Sequence, residues 1–167
     1  PYKARLKGKR VLLFTGGVKS WSVVSALQEV GMEIVGTSMR KTTANDREKV
    51  KEIMGTDAHM FDELPPREMY RMLRDSQADV MLSGGRSQFV ALKAKTPWVE
   101  INQERHHALA GYDGIVNLVD EIDKALYNPV WQQVRQPAPW ERPDWEQDLE
   151  EWQSCSQEEC AGEVCHG

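Results

Sequence analysis

Five short runs of apolar, partly branched residues, each followed by a stretch with helical periodicity, constrain this chain more than any other feature. Residues 10–15 read Arg-Val-Leu-Leu-Phe-Thr with no polar alternation, the pattern of a strand covered on both faces. Gly16-Gly17 breaks that run, and residues 20–30 then place Val23, Val24, Leu27 and Val30 on one helical face. Gly31 follows where a helix C-cap belongs. Residues 33–37, 58–61, 79–82 and 98–102 read as four further strands. Between them, Asn45 or Asp46 is placed to cap a helix with Val50, Ile53 and Met54 inward, and Pro65-Pro66 opens one with Met69, Met72 and Leu73 inward. A shorter helix is predicted over 87–93. A long one spans 111–126, with Ile115, Leu118, Val119, Ile122 and Leu126 as its apolar stripe.

Strands alternating with helices predict an α/β fold: a Rossmann-like, doubly wound parallel sheet of about five strands with helices on both faces. After Asn128-Pro129 the pattern stops, although Trp131 is expected to pack on the domain. The expected organisation is an α/β domain over residues 8–140 and an irregular, acidic, flexible tail over 141–167. The net charge of −5 hides this division: the tail holds nine acidic groups and one basic, leaving 17 acidic and 20 basic residues before it. Neither part forms a dense Lys/Arg stripe, so nucleic acid is not an expected partner. No apolar run approaches the roughly 18 residues of a membrane span. No signal peptide is visible and the chain does not start with Met, so the expectation is a cytoplasmic protein cut from something longer. Cys155, Cys160 and Cys165 all fall in the tail. Their spacing of five is looser than the pairs typical of zinc and iron–sulfur sites, so an unstructured tail is expected there and no metal site.

Ligands of open parallel sheets bind beyond the carboxyl ends of the strands. That rule selects the loops starting at Thr15, Ser38, Ser83 and Asn102. Two of them contain Gly-Gly, where backbone N–H groups can approach an anion closely. Lys19, Arg40, Lys41 and Arg86 would surround the site with positive charge, suiting a bulky anion such as a phosphate or a carboxylate-bearing metal cluster. Neither the dinucleotide fingerprint nor the phosphate loop is present. No catalytic triad is recognisable. His106 and His107 read as one surface and one packed histidine, and His59 as strand filler.

Read in order, Gly8–Trp21, Val35-Gly36-Thr37, Ser83-Gly84-Gly85-Arg86, Ile101–His107, Gly111–Gly114 and Asn128–Trp131 resemble the C-terminal domain of the nitrogenase component 1 family. The resemblance is strongest to its scaffold members, on which the iron–molybdenum cofactor matures. It implies that Gly16 and Gly17 offer backbone donors to the cofactor, with Ser20 following them, and that Lys19 takes the place of a cofactor-touching arginine. It puts Lys41 where the catalytic α-subunit has an aromatic residue over the cofactor, and Arg86 where that subunit has a lysine near the organic acid. Asn102 falls where that subunit carries the histidine that ligates molybdenum. An amide is a poor transition-metal ligand, which suits a scaffold that must release its product.

The same resemblance implies that this chain is a non-enzyme. It would contribute one wall of a pocket for an iron–molybdenum cofactor precursor, an iron–sulfur cluster bound only with domains absent here. The implied partners are a homologous, NifN-like subunit in a heterotetramer and the assembly proteins that donate and receive the cofactor, with no membrane. The alternatives are a fragment of a nitrogenase-like catalytic α-subunit, or a generic mononucleotide-binding α/β domain.

Overall fold

Runs of Val, Leu, Ile and Met without polar alternation are stable only where both faces of a sheet are covered, and this protein covers both. The computed structural model describes residues 2–15, 20–40, 42–55, 59–103, 108–109, 111–138 and 141. Its strands are β1 (Arg10–Phe14), β2 (Glu33–Ser38), β3 (Met60–Phe61), β4 (Val80–Ser83) and β5 (Trp98–Glu100). All pairings are parallel, in the order β3-β2-β1-β4-β5. The helices are α1 (Tyr2–Leu6), α2 (Ser20–Glu29), α3 (Ala44–Met54), α4 (Pro66–Asp75), α5 (Gln88–Lys93), α6 (Gly111–Leu126) and α7 (Val130–Val134). Among the described residues, 2–131 belong to one compact unit, and 132–138 and 141 to another.

The alternation of side chains along each strand sorts the core into two layers. Val11, Leu13, Val80 and Leu82 point to one face, where they meet Leu6 of α1, Val24 and Leu27 of α2, and Leu118 and Ile122 of α6. Leu12 and Met81 point to the other, against Met69 and Leu73 of α4 and Val90 and Ala91 of α5. The doubly wound sheet expected from the sequence is the observed architecture. The pairing of β1 with β2 slips by one residue between Val11 and Leu12, so that Leu12 faces Gly36. A Cβ on Gly36 would lie 3.2 Å from both Leu12 Cδ1 and a ring carbon of Phe61. The glycine lets those two side chains meet over the strand.

Helix ends follow local chemistry. Gly31 (φ 84°) closes α2 as expected, its N–H donating to the Gln28 carbonyl and that of Met32 to Leu27. Pro66 occupies the first turn of α4. The start of α3 differs from the sequence reading: neither Asn45 nor Asp46 is the cap. Thr43 is, accepting from the Asp46 N–H at 3.2 Å while the Asp46 carboxylate accepts from the Thr43 N–H at 3.1 Å. Asp46 thus holds the third position of a capping box, which the apolar periodicity alone placed two or three residues late. The Thr43 hydroxyl and then its N–H, both donating to Asp46, hold that carboxyl below its ordinary pKa. Loss of this N-cap in Thr43→Ala is expected to cost about 1 kcal/mol at neutral pH. A carboxyl with a depressed folded pKa stabilises above its unfolded value, near pH 4, and that stability is lost as pH falls through the folded value. The gap between wild type and variant in urea unfolding should narrow below about pH 4.

Two short helices escaped the sequence reading. The polar start of the chain carries no helical periodicity to read, yet α1 precedes β1. Five residues cannot hold a helix alone. This one is fastened to α6, with Tyr2 Oη donating to Asp120 at 2.9 Å and Arg5 pairing with Asp123 at 3.1 Å. Arg5 also stands over the Tyr127 ring, 4.2 Å from its centroid. The other is α7, where the regular pattern was expected to stop. The Asn128 side chain accepts from the Val130 N–H at 3.0 Å at its start. Trp131 within it is half-buried.

Candidate functional site

A chain that runs β1-β2-β3 outward to one side and then returns to add β4 and β5 on the other leaves a topological switch between β1 and β4. The loops beyond the carboxyl ends of those strands depart in opposite directions and open a crevice. Here the crevice is a cleft of about 1120 Å³ whose walls include Phe14, Arg40, Gly84, Arg86, Glu100 and Asn102. It is slightly larger than the roughly 300–1,000 Å³ of ordinary small-molecule pockets. Its lining also includes Lys124 and Asn128.

Three strands deliver polar groups to its mouth. β1 ends one residue before Thr15, whose hydroxyl donates to the Asn102 amide oxygen at 2.9 Å. β4 ends at Ser83, whose hydroxyl accepts from the Trp98 indole N–H at 2.8 Å. β5 ends at Glu100, earlier than the sequence run to Asn102 suggests. Because Asn102 lies beyond the strand, its side chain is free to reach back over Gly84 to Thr15, and its N–H donates to the Glu100 carboxylate at 2.9 Å. Gly84 is required by this crossing: a Cβ there would stand 2.5 Å from the Asn102 amide nitrogen. After Gly84 the chain makes a 3-10 turn over Gly85–Ser87 before α5, and Arg86 on that turn is exposed.

Of the residues singled out by sequence, Arg40, Arg86 and Asn102 line this cleft. Ser20 opens α2. Gly16, Gly17, Lys19 and Lys41 lie outside the described residues, as do His106, His107 and the three tail cysteines. His59 is exposed beside β3, its ring 6.3 Å from that of Phe61.

The described part of the rim is less uniformly basic than expected. Arg40 pairs with Glu63 at 3.4 Å. Lys124 is tied to Asp120 at 2.6 Å, and that bond raises its pKa. Arg86 has no ion-pair partner among the described residues. Glu100 brings a carboxylate into the cleft, which sequence reasoning missed because the residue reads as strand interior. Thr15 was placed at the rim only as the start of a loop, with no role for its hydroxyl; a threonine ending an apolar run there is the available signal. Among the described residues no group of three or more His, Cys, Asp or Glu side chains could hold a metal ion. Among the described residues the site offers hydrogen-bond donors, the Arg86 guanidinium and the Glu100 carboxylate.

The sequence pattern of the family described as Nitrogenase component 1 type Oxidoreductase matches residues 1–127. The chain belongs to that family. Among relatives of this nitrogenase component 1 chain, it is 68% identical over 141 residues to the nitrogenase iron-molybdenum cofactor biosynthesis protein NifE of Bradyrhizobium diazoefficiens, covering 84% of this chain and 26% of that protein. It is 62% identical over 141 residues to NifE of Rhodobacter capsulatus, covering 84% and 30%, and 46% identical over 140 residues to NifE of Klebsiella pneumoniae, covering 84% and 31%. The chain thus spans less than a third of the length of these relatives. A solved structure of nitrogenase Cp1 at pH 5 superposes with a TM-score of 0.65 at 20% identity, covering 81% of this chain and 34% of that one, a likeness of fold. The resemblance read from the sequence is the family found.

Proposed function

We propose that this domain is one wall of a scaffold that holds an iron–sulfur precursor of the iron–molybdenum cofactor as cargo while the cofactor is completed. Asn102 carries the reading. It stands at the mouth of the cleft, hydrogen-bonded to Thr15 and crossing Gly84. An amide there can donate to an anionic cluster or its organic acid without coordinating the metal tightly, which favours temporary holding over permanent residence. The high identity to proteins named for cofactor biosynthesis supports the same reading. In it, Gly16 and Gly17 supply backbone donors, Ser20 begins the helix behind them, and Lys19, Lys41 and Arg86 supply positive charge.

The wall by itself catalyses nothing; it positions a cluster whose chemistry is completed by other proteins. Its thiolate ligands would come from domains outside this chain, and a homologous NifN-like subunit would close the pocket in a heterotetramer. Cofactor-donating and cofactor-receiving assembly proteins are the transient partners. No helix among the described residues is long and apolar enough to cross a membrane. The proposed location is the cytoplasm.

The test is charge reversal at the rim. In the full-length protein purified with its partner subunit, Lys19→Glu with Arg86→Glu should lower precursor retention roughly 30-fold, from roughly 1 kcal/mol for each reversed charge. Iron content and the cluster's electron paramagnetic resonance signal would measure retention, and circular dichroism would report an intact fold. Undiminished iron loading and cofactor transfer would overturn the assignment.

A further inference from the structure

One side chain at the cleft mouth has its orientation set from three strands at once. The Asn102 amide oxygen accepts from Thr15 Oγ1 beyond β1, at 2.9 Å. Its backbone N–H is anchored at 2.9 Å on Glu100, the last residue of β5. Its amide nitrogen lies across Gly84, immediately after β4, where no Cβ could fit beside it. Thr15 is only 3% exposed, so water competes poorly for its hydroxyl.

A carboxamide has one acceptor atom and two donor hydrogens on opposite ends. A hydroxyl that donates to the oxygen turns that end inward. The nitrogen is left over Gly84, on the cleft side that Asn102 lines. We propose that Thr15 is a positioning residue that presets Asn102 as a hydrogen-bond donor to a carboxylate or sulfide acceptor on the anionic cargo. This rests on the reading of the cleft as a cargo site and adds the device that fixes which face of the amide the cargo meets. Asn102 then recognises the anion, and its oxygen is withheld from the metal.

The design predicts two independent ways to disturb the amide. Thr15→Val deletes the hydroxyl at nearly constant volume, whereas Thr15→Ser keeps it. Gly84 has an ordinary backbone conformation (φ −79°, ψ 160°), so Gly84→Ala adds no backbone strain. Its methyl would act on the Asn102 amide, the flexible end of a side chain, and should leave the fold intact.

These variants and Asn102→Ala should be made in the full-length protein with its partner subunit. Retention of the precursor would be followed by iron content and electron paramagnetic resonance. Binding of citrate, as a plain tricarboxylate probe, would be followed by calorimetry on protein free of cluster. Thr15→Val and Gly84→Ala should each weaken both readouts roughly three- to ten-fold, the range of one hydrogen bond lost or misdirected. Thr15→Ser should recover most of the loss, and neither change should matter further in the Asn102→Ala background. The proposal is overturned if Thr15→Val and Gly84→Ala bind as wild type does, or if their effects persist without Asn102. If wild type binds citrate in a Thr15-dependent way but takes up no cluster, the positioning stands and the cargo reading falls. If it takes up neither, both fall.

Discussion

Leu12→Ala is expected to lower the unfolding free energy by about 3–5 kcal/mol, the upper half of the range for buried leucine truncations. Leu12 is fully buried at the centre of the sheet, on the face covered by α4 and α5. The position of Gly36 puts the estimate high. Leu12 Cδ1 lies 3.2 Å from where a Cβ on Gly36 would be, so the neighbouring strand has no side chain there to relax into the hole. A loss of this size consumes a large part of the roughly 5–15 kcal/mol typical of whole domains, and should lower the melting temperature on the order of 10–20 °C. The same geometry makes a sharper claim. Gly36→Ala alone should destabilise by crowding Leu12, Phe61 and Met72, but beside Leu12→Ala its methyl enters vacated space. Urea unfolding of the double variant should therefore show less than the sum of the two single losses. Simple additivity would mean that the cavity closes some other way.

Gly114→Ala is expected to destabilise although it looks like an improvement. Gly114 lies inside α6, where replacing glycine by alanine ordinarily gains about 1 kcal/mol. Against that gain stands a collision. The new Cβ would sit 2.5 Å from the carbonyl carbon and 3.1 Å from the Cα of Leu109. These are backbone atoms, which cannot swing away as a side chain end can. Overpacking of this kind costs typically 1–3 kcal/mol and the upper end applies where backbone must move, so the collision outweighs the propensity and a net loss of roughly 1–2 kcal/mol is expected. Leu109 also lines the cleft, so retention of the proposed cargo should fall alongside the melting temperature. A variant that melts at or above the wild-type temperature would show that residues 108–109 are not held against α6.

Much of the fold was legible because long elements repeat their signal. The 16 residues of α6 were placed at Gly111 to Leu126 with an apolar stripe from Ile115 to Leu126, since several turns of 3.6 periodicity leave little room for error. The strands were found to within one or two residues because apolar runs without polar alternation stand out between polar or turn-forming stretches. Short helices behaved differently. α1 and α7 have five residues each and no periodicity to read; they exist through contacts such as Tyr2 with Asp120, or through the local Asn128 cap. The α3 cap was misplaced because Asn, Asp and Thr compete for that role, and only hydrogen-bond geometry shows Thr43 capping and Asp46 replying.

The sequence by itself determined the class of the fold, the family and the loops that belong to a ligand-binding rim, because apolar spacing and the carboxyl ends of parallel strands are local properties of the chain. It could not say which of those loops become neighbours. Strand order is set by how the whole apolar surface is shared between two layers of helices, and that order opened the crevice between β1 and β4. Only then do Thr15, Gly84 and Asn102, far apart along the chain, come within hydrogen-bond or contact distance. Glu100 joins them, and Arg40 turns aside to Glu63. A residue's chemistry is written in its type, but the direction in which it acts is decided by whichever neighbours the sheet brings beside it.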